Sequence, residues 1–340
     1  MEPEIFKLTE TSLRVAVVIP CFRVRRHILD VLKEIPEAVH QIYVVDDACP
    51  DNSGLFVSQN TSDPRIKVMT NPVNLGVGGA VMNGYRAAMS HGADIVVKID
   101  GDGQMDPSLI PLFIEPIALE RADYTKGNRF FDLEQIVQMP TLRIIGNAGL
   151  SFLSKLSTGY WKIFDPTNGY TAIHARVIAK LPLNKISNRY FFESDILFRL
   201  NCLRAVVEDV PMHAKYADEE SHLKIAKIFN EFLFKHARNG FKRIFYNYFL
   251  RDISAASVEL VAGILLFSFG LFFGIYAWSR SAHGELASSG TVMLAALPTL
   301  LGIQFIIAFV NLDIVNQPGL SLWPRLKSLS GHSRGGTDIR

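Results

Sequence analysis

Cysteine is scarce in this 340-residue chain, and its three cysteines, Cys21, Cys49 and Cys202, are widely spaced. They are too few for a disulfide framework, and without a CxxC pair or a Cys/His cluster they predict no zinc site. The net charge is only +2, so the overall balance gives no reason to expect a nucleic-acid partner. The acidic N-terminus has no apolar core and is not expected to be a signal peptide. Together these features favour a reducing, cytosolic setting for the main domain.

Two familiar nucleotide-binding patterns are also missing. There is no Gly-Lys-Ser/Thr, so the chain has no P-loop. Gly76 and Gly78 match the first two glycines of a dinucleotide fingerprint, but Val81 occupies the third position and the segment follows the third predicted strand. We therefore expect these glycines to allow close packing of a helix on a sheet, with direct phosphate binding as the alternative.

Long apolar runs, in contrast, are present near the C-terminus. Residues 260–278 and 291–312 contain no charged side chain. Each run matches the roughly 20 residues that cross the hydrocarbon layer of a bilayer. Two transmembrane helices are therefore predicted, with two buried core helices as the alternative.

Before residue 130, apolar runs of strand character alternate with helical patterns. Strands are predicted over 13–20, 41–45, 65–69 and 94–99, and helices over 25–35 and from about residue 76 to 91. This alternation predicts an α/β domain with a mainly parallel sheet covered by helices on both faces. Ligands of such sheets bind beyond the carboxyl ends of the strands. Polar groups after three strands should therefore converge on one crevice: Pro20–Arg23, Asp46–Asp47 and Asp100/Asp102.

The segment Asp100-Gly101-Asp102-Gly103-Gln104 follows the fourth predicted strand. Asp and Gln oxygens suit Mg²⁺ or Mn²⁺, and magnesium commonly takes only one or two protein carboxylates because it shares its other positions with substrate phosphates. The segment therefore predicts a metal site. The alternative is a polar turn in which Asp106 caps a helix that has Pro107 at its first position.

The ordered motifs of the first domain resemble those of family 2 glycosyltransferases of the GT-A fold: Val18-Ile19-Pro20, Val45-Asp46-Asp47, Asn74-Leu75-Gly76 and Asp100-Gly101-Asp102. Later segments narrow the resemblance to the polyprenyl-phosphate sugar transferases, the group of dolichyl-phosphate mannose synthase and bacterial polyprenyl-phosphate glucosyltransferases. These segments are Lys126–Phe130, Arg143 ahead of Gly146-Asn147, and Asp165–Tyr170. The resemblance covers roughly residues 13–315, and the ordered set is more specific than any single motif.

The resemblance implies a donor site for a nucleotide-diphosphate sugar. In it Asp47 would contact the base beside Pro20, and Asp100 would lie against the ribose and diphosphate. Asp102 and Gln104 would bind the metal, Mg²⁺ or Mn²⁺. The full set implied for the nucleotide is Pro20, Asp46, Asp47, Gly76 and Asp100, and the set implied for the metal is Asp100, Asp102 and Gln104.

The resemblance also implies an acceptor site. Arg129 and Arg143 would meet the acceptor phosphate, with Lys215 as a weaker candidate. Glu193 and Asp195 fall where the family carries an acidic residue near the acceptor, and Asp195 matches the acidic-Ile-Leu pattern better. A lipid monophosphate is already an anion, so it can attack without a strong base, and the protein must chiefly hold two anions together with Arg side chains.

A basic amphipathic segment precedes the apolar runs. Residues 221–252 carry apolar side chains at helical spacing on either side of Gly240 and many basic ones, which suits helices in the lipid headgroup layer; ordinary helices packed on the globular domain are the alternative. Lys and Arg also follow the second run, whereas the loop 279–290 has one Arg and one Glu. Both termini are therefore predicted to be cytoplasmic. The predicted organisation is a catalytic domain 1–220, amphipathic helices 221–252, a transmembrane hairpin 253–315 and a basic tail 316–340.

The sequence thus predicts an inverting, metal-dependent enzyme of the bacterial inner membrane. It would transfer a sugar, with a UDP-sugar as the favoured donor, to polyprenyl phosphate at the cytoplasmic face. A homo-oligomer, a tetramer, is implied by the resemblance alone. One alternative is a polysaccharide-elongating glycosyltransferase, which would need more membrane helices and commonly a Gln-x-x-Arg-Trp motif. Another is a non-catalytic membrane protein that binds nucleotide sugars.

Overall fold

A computed structural model describes residues 12–131, 141–212 and 225–332. The chain divides into two compact units. One consists of Met1–Gly240 together with Pro318–Arg340, and the other is Phe241–Gln317. The first unit is thus assembled from chain segments that precede and follow the second.

A seven-stranded sheet forms the centre of the first unit, in the order β3-β2-β1-β4-β6-β5-β7. Only β6 among the described strands runs against its neighbours, being antiparallel to both β4 and β5. The sheet is therefore mainly parallel, as predicted. The strands are β1 Val15–Cys21, β2 Gln41–Asp46, β3 Ile66–Thr70, β4 Ile95–Lys98, β5 Tyr124–Asn128, β6 Thr171–His174 and β7 Val207–Pro211.

Helices connect and cover these strands in the first unit and make up the second. They are α1 Ile28–Glu34, α2 Ser53–Asn60, α3 Val77–Ser90, α4 Ile110–Ala118, α5 Thr141–Thr158, α6 Ala175–Ile178, α7 Phe192–Leu203, α8 Ile225–Phe245, α9 Ala255–Ala282, α10 Ser289–Val315 and α11 Trp323–His332. Short 3₁₀ turns occupy Pro107–Leu109 and Leu183–Lys185.

The core of the first unit follows directly from the apolar runs of the sequence. Every residue of β1 and of β4 is buried. A strand buried on both faces needs a continuous apolar run because its alternate side chains all meet protein. The four strands predicted before residue 100 are all present, and their observed ends lie within two residues of the predicted ones.

The glycines at the start of and within α3 allow close packing, although Gly76 and Gly78 pack against residues 187–192 and not against the sheet as predicted. A side chain at Gly84 would collide with Val18 of β1. A Cβ on Gly76 would lie 2.7 Å from the carbonyl oxygen of Asn188, and Gly76 also has a φ of +87°, which disfavours other residues. The start of α3 therefore packs directly against the chain that precedes α7.

Helix α8 differs from the sequence expectation at Gly240. The apolar pattern repeats on each side of this glycine, which suggests two helices, but α8 runs from Ile225 to Phe245 without a break. A Cβ on Gly240 would lie 3.3 Å from the Cα of Ser157 in α5. Gly240 therefore allows close approach of two helices and does not end one.

The second unit contains the two long apolar helices. The predicted runs lie inside α9 and α10, which have a mean hydropathy of 2.2 in their most apolar 18-residue windows, with 11% of each window buried. A core helix of this composition would be mostly buried. Glycines let the two backbones approach closely, since a Cβ on Gly270 would lie 2.6 Å from the backbone nitrogen of Thr299. The two helices are candidate membrane spans.

Asp123 joins the C-terminal segment to the α/β sheet. This fully buried carboxylate accepts hydrogen bonds from the backbone N–H groups of Val206 and Trp323, both at 2.7 Å, and from the hydroxyl of Ser321 at 3.1 Å. Trp323 stacks on His174 with ring centroids 4.2 Å apart. Burial lowers the pKa of His174 to about 4, so the stacked ring is neutral at physiological pH. Part of the predicted basic tail 316–340 is therefore packed into the first unit.

Asp123→Ala is expected to destabilise the first unit strongly. The change leaves several buried N–H donors without an acceptor, and each such donor costs roughly 1–3 kcal/mol. We expect a loss of about 3–5 kcal/mol in the free energy of unfolding of the detergent-solubilised protein, measured by circular dichroism in a urea titration. Glu37→Ala, at an exposed position, is the matched control and should change stability by less than about 0.5 kcal/mol. Equal stability of the two variants would contradict this role.

Candidate active site

A cleft of about 820 Å³ opens at the carboxyl ends of the central strands. It brings together Pro20, Asp47, Asp100 and Asp102, which the sequence analysis expected to converge. The complete lining is Pro20, Cys21, Phe22, Val24, Asp47, Ala48, Pro50, Asn74, Gly76, Val77, Ala80, Lys98, Asp100, Gly101, Asp102, Arg189, Tyr190 and Glu193. Since ligands of parallel sheets bind at this edge, the cleft is the candidate active site.

Asp47 shapes one wall of the cleft. Its Oδ1 accepts hydrogen bonds from the side-chain amide of Asn71 at 2.7 Å and from the N–H of Leu75 at 2.9 Å. Its Oδ2 accepts from the N–H of Gly76 at 2.7 Å. The buried carboxylate thus fixes the loop before α3, and a carboxylate with about four acceptor positions retains capacity for one more donor.

Asp46 does not line the cleft, which corrects its predicted nucleotide contact. Its two carboxylate oxygens accept hydrogen bonds from the N–H groups of Cys49 at 2.7 Å and Gly54 at 2.6 Å. The side chain is 4% exposed and holds the turn between β2 and α2. Successive side chains of a strand point to opposite sides, so Asp46 and Asp47 are directed to different surroundings.

Asp100 and Asp102 both line the cleft. Asp100 Oδ1 lies 2.7 Å from the ammonium of Lys98, whose side chain is 1% exposed. Asp102 Oδ1 accepts a hydrogen bond from the N–H of Gln104 at 3.0 Å, which closes a turn. Asp106 caps the following 3₁₀ turn by accepting from the N–H of Ser108 at 3.0 Å, so the polar-turn interpretation also holds.

These carboxylates fit a divalent ion that is shared with a substrate. The described residues contain no group of three or more His, Cys, Asp and Glu side chains that could hold a metal. Two carboxylates facing an open cleft nevertheless match the usual protein contribution to magnesium, with substrate phosphates and water completing the coordination. Gln104 is not part of the cleft lining, so its role as a ligand stays a prediction.

A cluster of buried charges lies behind Asp100. Burial raises the pKa of Glu193 to about 7, although the nearby ammonium groups of Lys98 and Lys126 act against this rise. Burial likewise lowers the pKa of Lys126, with Glu193 opposing. Lys126 donates a hydrogen bond to the carbonyl oxygen of Asn168. Lys98 and Glu193 reach the cleft surface from this cluster.

Gly169 makes room for this arrangement. A Cβ at this position would collide with the ammonium of Lys98 and lie 2.8 Å from Asp100 Oδ2. The sequence analysis did not identify Lys98 as a site residue. The available signal was the charged Lys98 at the end of the apolar run that starts at Ile95, because a charge in a buried strand needs a partner.

Glu193 lines the cleft and Asp195 does not; which of the two acts near an acceptor stays a prediction. Asp195 is 1% exposed. Its Oδ2 accepts a hydrogen bond from the N–H of Ser187 at 2.9 Å and lies 3.2 Å from Arg199 Nη2, while Oδ1 accepts from Asn239 at 2.9 Å. Asp195 therefore has a structural role in these contacts.

Of the three basic residues predicted to bind the acceptor phosphate, the structure describes the side chain of Arg129. Arg129 forms a two-point ion pair with the buried Asp165, with Nε at 2.7 Å from Oδ2 and Nη2 at 3.1 Å from Oδ1. This pair offsets part of the positive charge that Arg129 could offer to a phosphate. The side chain of Arg143 and the whole of Lys215 lie outside the described residues.

Comparison with known proteins extends this picture. The family model described as "Glycosyl transferase family 2" matches residues 16–181. The chain is 29% identical over 204 residues to an undecaprenyl-phosphate mannosyltransferase of Micrococcus luteus, covering 59% of this chain and 83% of the relative. It is 27% identical to the UDP-N-acetylglucosamine–dolichyl-phosphate N-acetylglucosaminyltransferase of Methanococcus voltae, covering 59% of this chain and 86% of the relative.

Among solved structures, the chain is similar to glucosyl-3-phosphoglycerate synthase of Mycobacterium tuberculosis in complex with Mn²⁺, UDP and phosphoglyceric acid. The TM-score is 0.51 at 16% identity, covering 68% of this chain and 78% of the other. The likeness confirms the predicted GT-A fold of the first unit.

Glu193→Gln should remove a pH-dependent loss of stability. The pKa of Glu193 rises from an ordinary 4.5 to about 7 in the folded protein. The protonated Glu193 therefore stabilises the folded state fully below pH 4.5, and this stabilisation is lost as the pH rises through about 7. The melting temperature of the variant relative to wild type should therefore increase between these two pH values. His174 and His236, both with a pKa lowered to about 4, produce the opposite slope in both proteins and cancel in the difference.

The control for this measurement is Glu37→Gln, at an exposed position on the same unit. Its difference from wild type should stay constant across the range, because this change leaves Glu193 in place. A constant difference for Glu193→Gln as well would show that Glu193 titrates as an ordinary carboxyl group.

Proposed function

We propose that this protein, whose residues 16–181 match the family model described as "Glycosyl transferase family 2", is a glycosyltransferase. It would transfer a sugar from a nucleotide-diphosphate donor to polyprenyl phosphate with inversion at the anomeric carbon. The observation that carries the proposal is the convergence of Asp47, Asp100 and Asp102 on one cleft at the carboxyl ends of the sheet. That edge is where an α/β sheet binds a nucleotide.

The donor would lie along the cleft with its base towards Asp47 and Pro20 and its diphosphate towards Asp100 and Asp102. A uridine donor is favoured, in keeping with the printed names of the Methanococcus voltae relative and the Mycobacterium tuberculosis complex. Gly76 would contribute its small size at the cleft wall, where a side chain would meet Asn188.

Asp100 and Asp102 would hold Mg²⁺ or Mn²⁺, with Gln104 as a further ligand. The metal ion would supply Lewis-acid stabilisation of the charge that develops on the diphosphate leaving group. Lys98 would hold Asp100 in position through their 2.7 Å ion pair. The carboxylates would otherwise repel a diphosphate, so cations at this place are required for binding.

The acceptor would be a lipid monophosphate, whose oxygen is already an anion at neutral pH. It therefore needs no general base. Arg129, Arg143 and Lys215 are proposed to contribute positive charge to the acceptor side. Direct attack from the face opposite the leaving group inverts the anomeric configuration, so an α-linked donor would give a β-linked product.

The candidate membrane spans fit an acceptor that resides in a bilayer. The names of the Micrococcus luteus and Methanococcus voltae relatives specify undecaprenyl and dolichyl phosphates. We propose that both termini and the first unit are cytoplasmic, because Lys and Arg flank the spans and are sparse in the loop 279–290. A bacterial inner-membrane location and a tetrameric assembly are part of the same proposal.

The proposal is tested with the full-length protein in detergent or lipid vesicles. Radiolabelled UDP-sugars and GDP-sugars are supplied in turn with Mg²⁺ and undecaprenyl phosphate, and the organic-solvent fraction is examined for labelled lipid. One donor should give a labelled lipid, with a β linkage from an α-linked donor by NMR. If no donor labels the lipid while a sugar hydroxyl acceptor is labelled, the proposed acceptor is wrong.

Asp102→Asn should lower kcat/KM at least about 100-fold, because metal assistance at the leaving group accounts for several kcal/mol of the barrier. The same assay measures it, and EDTA should abolish wild-type turnover until Mg²⁺ or Mn²⁺ is restored. Asp30→Asn, an exposed carboxylate of α1 paired with Lys33, is the matched control and should retain wild-type rates. Full activity of Asp102→Asn would exclude Asp102 as a ligand.

A further inference from the structure

The segment Ser187–Tyr190 forms a wall of the cleft that the sequence motifs did not indicate. It connects the 3₁₀ turn Leu183–Lys185 to α7, and both Arg189 and Tyr190 line the cleft. Burial cannot explain these two residues, since Arg189 is exposed and Tyr190 is 58% exposed. An exposed basic and aromatic pair at a cleft rim is a common feature of ligand sites.

One end of this segment is attached to the start of α3. The N–H of Gly79 donates a hydrogen bond to the carbonyl oxygen of Asn188 at 3.1 Å. A Cβ on Gly76 would lie 2.9 Å from Arg189 Cγ, and a Cβ on Gly78 would collide with the carbonyl oxygen of Ser187. The glycines of α3 therefore let the backbone that carries Arg189 approach the cleft.

The other end is held by Asp195. Its Oδ2 accepts the hydrogen bond from the N–H of Ser187, and Arg199 and Asn239 hold the same carboxylate. Because Asp195 is 1% exposed, this anchor is protected from water. The position of Arg189 is thus fixed from both sides by contacts that do not involve its own side chain.

The cleft lining has more acidic than basic side chains, which indicates a role for Arg189 in binding an anion. The lining includes four carboxylates, Asp47, Asp100, Asp102 and Glu193, but only two basic side chains, Lys98 and Arg189. Lys98 is paired with Asp100 at 2.7 Å. The Arg189 side chain makes no hydrogen bond or ion pair with the described residues, although it lies close enough to Glu231 to help lower the pKa of that carboxyl. Glu231 itself pairs with Lys235 at 2.6 Å.

We infer that Arg189 binds a substrate phosphate in the cleft and that Asp195 is the positioning residue that holds the Ser187–Tyr190 segment in place. This inference rests on the proposed transfer between two phosphate-bearing substrates. A guanidinium offers parallel N–H donors that match a phosphate, which an ammonium cannot do. The phosphate belongs either to the donor diphosphate or to the acceptor monophosphate, and the experiment distinguishes the two.

The test compares Arg189→Gln and Arg189→Lys with wild type in two measurements on the full-length protein. The dissociation constant for UDP with Mg²⁺ is measured by calorimetry without turnover, with GDP in parallel. The KM for undecaprenyl phosphate is measured in the transfer assay. Loss of a charge-assisted hydrogen bond should weaken one of these constants about 10- to 100-fold in Arg189→Gln, with a smaller effect in Arg189→Lys.

Arg86→Gln is the matched control, an exposed arginine on α3 that hydrogen-bonds its neighbour Asn83. It should leave both constants unchanged. A weaker nucleotide affinity in Arg189→Gln alone assigns Arg189 to the donor, and a higher acceptor KM alone assigns it to the acceptor. If wild type binds nucleotide and turns over while both constants are unchanged in Arg189→Gln, the inference is overturned and the proposed function stands. If wild type binds neither nucleotide, both are overturned.

The positioning role of Asp195 has its own measurement. Asp195→Asn should weaken the same constant as Arg189→Gln, and in the Arg189→Gln background it should have no further effect. A purely structural role would lower the melting temperature and add its effect to that of Arg189→Gln. Additive losses would therefore contradict the positioning role, even where both variants fold.

Discussion

The pairing of Lys98 with Asp100 is the interaction on which the organisation of the cleft depends. An ammonium group buried at the end of an apolar strand is costly unless a carboxylate and further polar groups compensate it. Asp100 supplies that compensation at 2.7 Å, and the absence of a side chain at Gly169 leaves space for both groups. Glu193, which also lines the cleft, and the buried Lys126 belong to the same cluster of charges. The alternating charges let several carboxylates crowd at one sheet edge, where an anionic donor would otherwise be repelled.

The acidic residues discussed for the first unit differ in whether they are buried in the protein or face the cleft. Asp46, Asp123 and Asp195 are each buried and accept hydrogen bonds from backbone N–H groups outside their own helix or strand. They fix a turn, a C-terminal segment and a cleft wall respectively. Asp100 and Asp102 instead face the cleft, while Asp47 combines both functions. A carboxylate that is buried and bonded to backbone N–H groups holds the chain in position, whereas one that faces the cleft can bind a ligand. The residue type alone does not distinguish the two.

This distinction explains how much could be predicted from the sequence. The strands β1 to β4 and the convergence of their polar ends were predictable, because continuous apolar runs and the geometry of parallel sheets determine them. The choice between adjacent acids was not. Asp46 and Asp47 alternate across a strand, and Glu193 and Asp195 lie about 200° apart around α7, since each helical residue advances by roughly 100°. The insertion of the antiparallel β6 between β4 and β5 depends on long-range pairing that no local pattern records.

The contacts of Asp123 with the C-terminal segment bear on membrane topology. The chain leaves the first unit before α9 and rejoins it after α10, where Trp323 and its neighbours hydrogen-bond to Asp123. If the candidate spans α9 and α10 cross a bilayer, a unit assembled from segments on both sides of this hairpin requires that the hairpin begin and end on the same face. A folded sheet cannot cross the hydrocarbon layer with its polar edges. Two spans satisfy this condition and a single span would not. The fold of the α/β unit thus provides an argument, independent of charge, for the hairpin arrangement that the Lys and Arg distribution suggests.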